Sequence, residues 1–208
     1  MIKEKSLSHY GRIYHKLLDP LIKPARKVLV DHIPEGSSVL DVGCGTGLLC
    51  SELKREKGCE VLGIDMSKRM LDYAMSINAY DDVKFLLQDA TNMSDIQNDS
   101  FDYVILLNVI HELWPQEQLH VVKESSRVGR NVAIFDSYVP LPKNAVGLVK
   151  RFLELTFGSD HAAQYRQYLS AGGILGILDR AGVSTKIQDQ KLFSQGCNHL
   201  VLFYGDTA

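Results

Sequence analysis

Apolar runs of strand length recur along this chain with amphipathic stretches of helix length between them, the signature of βαβ units and a mostly parallel sheet. Seven runs predict strands near Ser38–Asp41, Glu60–Asp65, Val83–Gln88, Phe101–Asn108, Asn131–Asp136, Ser184–Gln190 and His199–Tyr204. Helices are expected about Leu48–Glu56, Lys68–Ile77, Pro115–Val128 and Ile174–Ala181. Only Lys191–Asn198 separates the last two strands, too little for a parallel crossover. The expected fold is therefore α/β, a seven-stranded sheet with an antiparallel last strand and helices on both faces.

Two regions break the alternation. Leu7–Ile33 reads as one or two helices interrupted at Pro20 and Pro24. Pro140–Gly173 is a second helical excursion, with Val146, Val149, Phe152, Leu153 and Phe157 forming a wide apolar face. Both are placed over the carboxyl edge of the sheet, where open α/β folds hold ligands. The expectation is one domain over 1–208, with an N-terminal helical cap (1–36) and a helical insertion (140–173).

Composition adds mainly exclusions. With 208 residues, 45% apolar, 23% charged and a net charge of −2, the chain is long enough for one substantial core and has no basic bias to suggest nucleic acid as a partner. The N-terminal Met-Ile-Lys-Glu-Lys-Ser is charged, and the greasy run around Val104–Leu107 is too short to span a bilayer, so a cytoplasmic protein without a transmembrane segment is expected. Cys44, Cys50, Cys59 and Cys197 form no Cys-x-x-Cys pair and the seven histidines are scattered. Reduced, buried thiols and no metal site are the expectation.

The candidate chemistry lies at strand ends. In an open parallel sheet the carboxyl ends of successive strands line one crevice, and here they are Asp41, Asp65, Asp89, Asn108 and Asp136. Each taken alone reads equally as a helix cap or turn former. Gly43, Gly45 and Gly47 allow a tight turn into the following helix and close approach of a ligand. A dinucleotide pyrophosphate fits poorly, because Asp41 repels it and the third glycine falls one position early for Gly-x-Gly-x-x-Gly. A cationic amino group suits Asp41, both ribose hydroxyls suit Asp65, and an adenine amine suits Asp89, for which an ordinary turn before Thr91 is the alternative.

Taken in order, Asp41-Val42-Gly43-Cys44-Gly45-Thr46-Gly47, Gly63-Ile64-Asp65-Met66-Ser67, Gln88-Asp89-Ala90 and the run from Phe101 through Asn108-Val109-Ile110-His111 to Leu113 resemble the class I S-adenosylmethionine-dependent methyltransferases. The resemblance runs from about residue 36 to the end and implies a Rossmann-like sheet with a reversed last strand. It also implies S-adenosyl-L-methionine as cofactor, S-adenosyl-L-homocysteine as product, and contacts at Asp41, Gly43, Gly45, Asp65, Met66, Asp89, Ala90 and Asn108. More loosely, Tyr10-Gly11-Arg12-Ile13-Tyr14 and Tyr165-Arg166-Gln167-Tyr168-Leu169 are similar to the ubiquinone/menaquinone C-methyltransferase group.

Methyl transfer from a sulfonium needs a base only when the acceptor must lose a proton. His111, where a strand gives way to a short helix, is the candidate base with a pKa usable near neutrality; a histidine bonded into the strand–helix corner is the competing reading. His111-Glu112 does not open a zinc-protease helix, because Pro115 stands where the second histidine belongs. Tyr10 and Tyr14 are four apart and can share a helix face, Tyr14 over the sulfonium and Tyr10 toward the acceptor. His161, Tyr165 and Tyr168 fall at i, i+4 and i+7, a face that either lines the acceptor pocket or packs in the core. The strand end lacks an Asp/Asn-Pro-Pro-Tyr/Phe sequence, which favours a small-molecule acceptor. The competing functions are a non-catalytic S-adenosylmethionine-binding module, a methyltransferase acting on a macromolecule, and a nicotinamide-dependent oxidoreductase.

Overall fold

A computed structural model describes residues 15–156 and 158–206. In chain order the elements are α1 Asp19–His32, β1 Ser38–Val42, α2 Leu48–Lys57, β2 Glu60–Asp65, α3 Lys68–Ile77, β3 Lys84–Leu87, β4 Phe101–Leu107, α4 Pro115–Val128, β5 Gly129–Ser137, α5 Ala145–Glu154, α6 Ser159–Ser170, α7 Gly173–Ala181, β6 Ile187–Phe193 and β7 Asn198–Tyr204. One 3-10 turn, Ile110–Glu112, links β4 to α4.

The strands form one sheet in the order β3-β2-β1-β4-β5-β7-β6. β3, β2, β1, β4 and β5 are parallel, and β7 runs antiparallel to both of its neighbours. The short link read from the sequence does produce the reversed strand. Its boundaries differ: Ser184–Lys186 forms a 3-10 turn, β6 starts at Ile187, and the connection is the 3-10 turn Ser194–Gly196. β6 is an edge strand with most side chains exposed, so its alternation carries little information about where pairing begins.

Alternation within the central strands sends side chains to two cores. Leu40, Val42, Val104, Leu106, Val132 and Ile134 face one with α4, α6 and α7, while Val39, Ile105, Ala133 and Phe135 face the other with α1 and α2. Helices thus cover both faces, as a parallel sheet requires.

Of the two interruptions expected, the one beside Pro20 occurs, with residues 15–17 helical, Leu18 a turn and α1 starting at Asp19, whereas the one at Pro24 does not. Pro20 lies in the first turn, where a backbone N–H has no helical partner to lose. Pro24 is inside the helix and gives up one bond, while Ala25, Leu29 and Val30 pack that helix onto the core. Among the described residues no helix is long and apolar enough to cross a membrane.

Candidate active site

Two cavities open along the carboxyl edge of the sheet. The smaller, about 40 Å³, lies against the turn after β1 and is lined by Asp19, Arg26, Asp41, Gly43 and Gly45 among others. Gly43, Gly45 and Gly47 all have positive φ, 70°, 55° and 70°. A Cβ on Gly43 would meet Val109 Cγ2 at 2.6 Å, and one on Gly47 would meet Phe85 Cζ at 2.5 Å. Gly43 and Gly45 therefore face the cavity, whereas Gly47 caps α2 and makes room for Phe85.

Asp41 is buried, and its carboxylate accepts a hydrogen bond from the Cys50 thiol at 3.1 Å. Burial pushes this carboxyl up to about 7; the Cys50 bond opposes the rise and the negative charge of Asp65 adds to it. A buried acid so poorly compensated suits a cationic guest. Arg26, also buried, donates to both oxygens of Glu52 and to the Asp19 carbonyl, and Thr46 donates to the Asp19 carboxylate.

At the end of β2 the Asp65 carboxylate accepts from the Gly45 N–H at 3.0 Å and the Ser67 N–H at 2.8 Å. It ties the glycine turn to the start of α3, and a carboxylate offers about four acceptor positions in all. Met66 is exposed beside it. Asp89 is exposed, and one oxygen accepts from the N–H and hydroxyl of Thr91, the turn-forming role weighed above; Ala90 is half-buried next to it. Asn108 follows β4 with φ 55°, and its N–H donates to the Phe135 carbonyl, so a non-glycine residue in left-handed backbone turns the chain at the crevice.

The larger cavity, about 350 Å³, extends from Asn108 under α5 and is lined by His111, Glu112, Phe135, Lys150, Glu154 and His161 among others. Ile22 lines both cavities, and Leu107 and Asn108 are consecutive wall residues of the two. On α5, Val146, Val149, Lys150, Leu153 and Glu154 stand at i, i+3, i+4, i+7 and i+8, so one helix face makes a wall that is apolar except for two charges. Of the apolar face read from the sequence, Val146, Val149 and Leu153 line this wall, Phe152 is exposed and does not, and Phe157 lies outside the described residues; the two charges were not part of that reading.

His111 sits at the centre of the polar wall. Its Nδ1 lies 2.7 Å from Asp136 Oδ1, and its backbone N–H donates to the other Asp136 oxygen at 3.3 Å. A carboxylate accepts only, so Nδ1 carries the proton of that bond. On the cavity side, Glu154 Oε2 is 3.6 Å from His111 Nε2 and 3.0 Å from His161 Nε2. Burial lowers the His111 pKa, but the Asp136 and Glu154 carboxylates outweigh it and raise the value to about 9. The sequence reads His111 as a candidate base usable near neutrality; the two carboxylates beside it favour its protonated form. Lys150 donates to Asn198 in the same wall, and burial lowers its pKa despite those carboxylates.

Of the helical stripe read as a possible acceptor lining, only His161 reaches the cavity. Tyr165 and Tyr168 are fully buried in the core. They pack edge-on against the His111 ring at 5.7 and 6.2 Å between centroids, and the Tyr168 hydroxyl donates to the Ser137 carbonyl at 2.5 Å. Tyr10 and Tyr14 lie outside the described residues. All four cysteines are free and buried, as expected. Histidines scattered along the sequence meet across folded elements, with ligand atoms of His111, Glu154 and His161 all within 4.8 Å of one another.

Residues 39–131 match a family described as a methyltransferase domain. The chain is 34% identical over 113 residues to a ubiquinone biosynthesis O-methyltransferase of Alkalilimnicola ehrlichii, covering 53% of this chain and 45% of that protein. It is 28% identical over 96 residues to a ribosomal protein L11 methyltransferase of Thermotoga petrophila, covering 46% of this chain and 36% of that one. The chain thus spans less than half the length of either relative. In fold it is similar to the PH0226 protein of Pyrococcus horikoshii, with a TM-score of 0.68 at 21% identity over 90% of this chain and 91% of that one.

Proposed function

We propose that this chain, whose residues 39–131 match a methyltransferase-domain family, is a class I S-adenosylmethionine-dependent methyltransferase that transfers a methyl group from S-adenosyl-L-methionine to a small-molecule acceptor. The supporting observation is the pair of adjoining cavities: a small polar one at the glycine turn and a larger one, about 350 Å³ and mostly apolar, beyond Asn108.

The first fits the cofactor's charged end. Asp41 is a buried acid bonded to a thiol rather than to a cation, and so suits the amino group; the backbone of Gly43 and Gly45 lines the same space. Asp65, Met66, Asp89 and Ala90 continue the site toward the ribose and adenine, with Asp65 holding the glycine turn in place. Bound there, the cofactor would supply an electrophilic methyl group on a cationic sulfur. This chain's part is alignment and exclusion of water, worth about 7–11 kcal/mol when the reactants are well oriented. Asn108, at the junction of the two cavities, positions the reacting groups, and His111, Glu154, His161 and Lys150 meet the acceptor's polar end.

Calorimetry with S-adenosyl-L-homocysteine tests the cofactor half. Wild type binds, and Asp65→Ala weakens binding by about 10–100-fold through lost hydrogen bonds to a charged group; equal affinity in both proteins would remove Asp65 from the site. A tritiated-methyl screen over metabolite pools, with ribosomal protein as the macromolecular arm, tests the acceptor. Label in protein alone overturns the small-molecule reading.

A further inference from the structure

The wall of the larger cavity carries a constellation that methyl transfer as such does not require. His161 Nε2 and His111 Nε2 lie 3.0 and 3.6 Å from the same oxygen of Glu154, and the three donor atoms are within 4.8 Å of one another. From this convergence we propose that His111, Glu154 and His161 bind one zinc-like divalent cation, with its remaining coordination position open to the cavity.

Three lines of geometry carry the assignment. Ligand atoms of a tetrahedral zinc ion, at about 2.0–2.1 Å from the metal, lie about 3.3 Å apart, and the two Glu154 contacts fall on either side of that spacing. Two imidazoles with one carboxylate form a borderline-soft donor set, suited to zinc and its neighbours rather than to calcium or magnesium. The side chains of His111, Glu154 and His161 are 5%, 15% and 6% exposed, so they already face one another out of bulk water.

The surroundings match as well. Asp136, fully buried, holds His111 Nδ1 and leaves Nε2 toward Glu154, the carboxylate–histidine arrangement that orients a metal-bound imidazole. Tyr165 and Tyr168 wall the His111 ring on its other side with aromatic surface. Asn108 lines the same cavity as the three ligand side chains.

For the acceptor this has one consequence, which rests on the methyltransferase reading: a substrate bearing an oxygen donor, a hydroxyl, phenol or carboxylate, would complete the coordination sphere and be fixed beside the methyl group.

The test is metal binding itself, on the whole chain. After exposure to Zn²⁺ or Co²⁺ and dialysis, elemental analysis is expected to find one ion per chain, and the Co²⁺ form to show the visible absorption of a four-coordinate site. Asp136→Asn should weaken affinity by about 10–100-fold, as loss of a partner that orients a ligand does. His161→Ala and the size-conserving Glu154→Gln should abolish retention, and Zn²⁺ should raise the melting temperature of wild type alone. No retained ion in wild type, or undiminished retention in a Glu154→Gln protein of wild-type fold by circular dichroism, overturns the proposal. Failure of wild type to bind S-adenosyl-L-homocysteine would instead overturn the methyltransferase reading and leave the metal result standing.

Discussion

The glycine turn after β1 and the cavity under α5 share the carboxyl edge of one sheet, yet they are assembled in opposite ways. The first is made by Asp41, Gly43, Gly45 and Asp65, neighbours in sequence or on adjacent strands, tied by backbone bonds such as Gly45 N–H to Asp65. The second is made by His111, Asp136, Glu154 and His161, from a 3-10 turn, a strand and two inserted helices, and is held by side-chain contacts. The first half keeps a fixed geometry for a fixed ligand. The second depends on how α5 and α6 pack, and is the part of the fold that can change its ligand without disturbing the turn.

The largest effect should come from the support of the second half. Tyr168→Ala removes a fully buried ring that packs on His111 and is expected to cost about 3–5 kcal/mol. Phe152→Ala, on the exposed side of α5, should change stability by about 0.5 kcal/mol or less. Denaturant unfolding of both variants decides it, and equal losses would mean that the tyrosines do not hold this half together.

Asp41→Asn sharpens the contrast from the other side. An acid whose folded pKa exceeds its unfolded value binds its proton more tightly when folded, so Asp41 makes the ligand-free protein less stable as pH rises from about 4 to about 7. The shift from 3.8 to about 7 corresponds to an upper bound of about 4 kcal/mol. The asparagine variant should therefore be the more stable protein at pH 8 and nearly equal to wild type at pH 4, while binding S-adenosyl-L-homocysteine about 10–100-fold more weakly. In wild type the same affinity should decline as pH falls below about 7. A destabilised asparagine variant at pH 8 would show that Asp41 is compensated within the protein.

The smallest effect belongs to Asp89→Ala. Its carboxylate is exposed and already holds the Thr91 turn, so calorimetry should show a loss of cofactor affinity of about tenfold or less. A loss matching that of Asp65→Ala would make Asp89 a principal contact.

Much of this was legible in consecutive residues. Strand-length apolar runs located the parallel sheet, and the brevity of the Lys191–Asn198 link required the reversal of β7. Positive φ at Gly43 and Gly45 is what a tight turn between strand and helix demands. Other features are decided only by packing: α1 runs through Pro24 because packing outweighs one lost bond, and the helical period of Tyr165 and Tyr168, which fits core and cavity alike, marks core. His111 stood out as a strand-end histidine, but its proton is governed by Asp136 and Glu154, whose proximity no spacing encodes.

The sequence by itself determined the sheet, its reversed strand and the glycine turn at the smaller cavity, because each follows from backbone geometry repeated over neighbouring residues. Only the tertiary structure brought His111, Glu154 and His161 onto one point. Their meeting depends on how α5 and α6 pack against each other and α6 against the turn after β4, which side-chain packing sets rather than any local period.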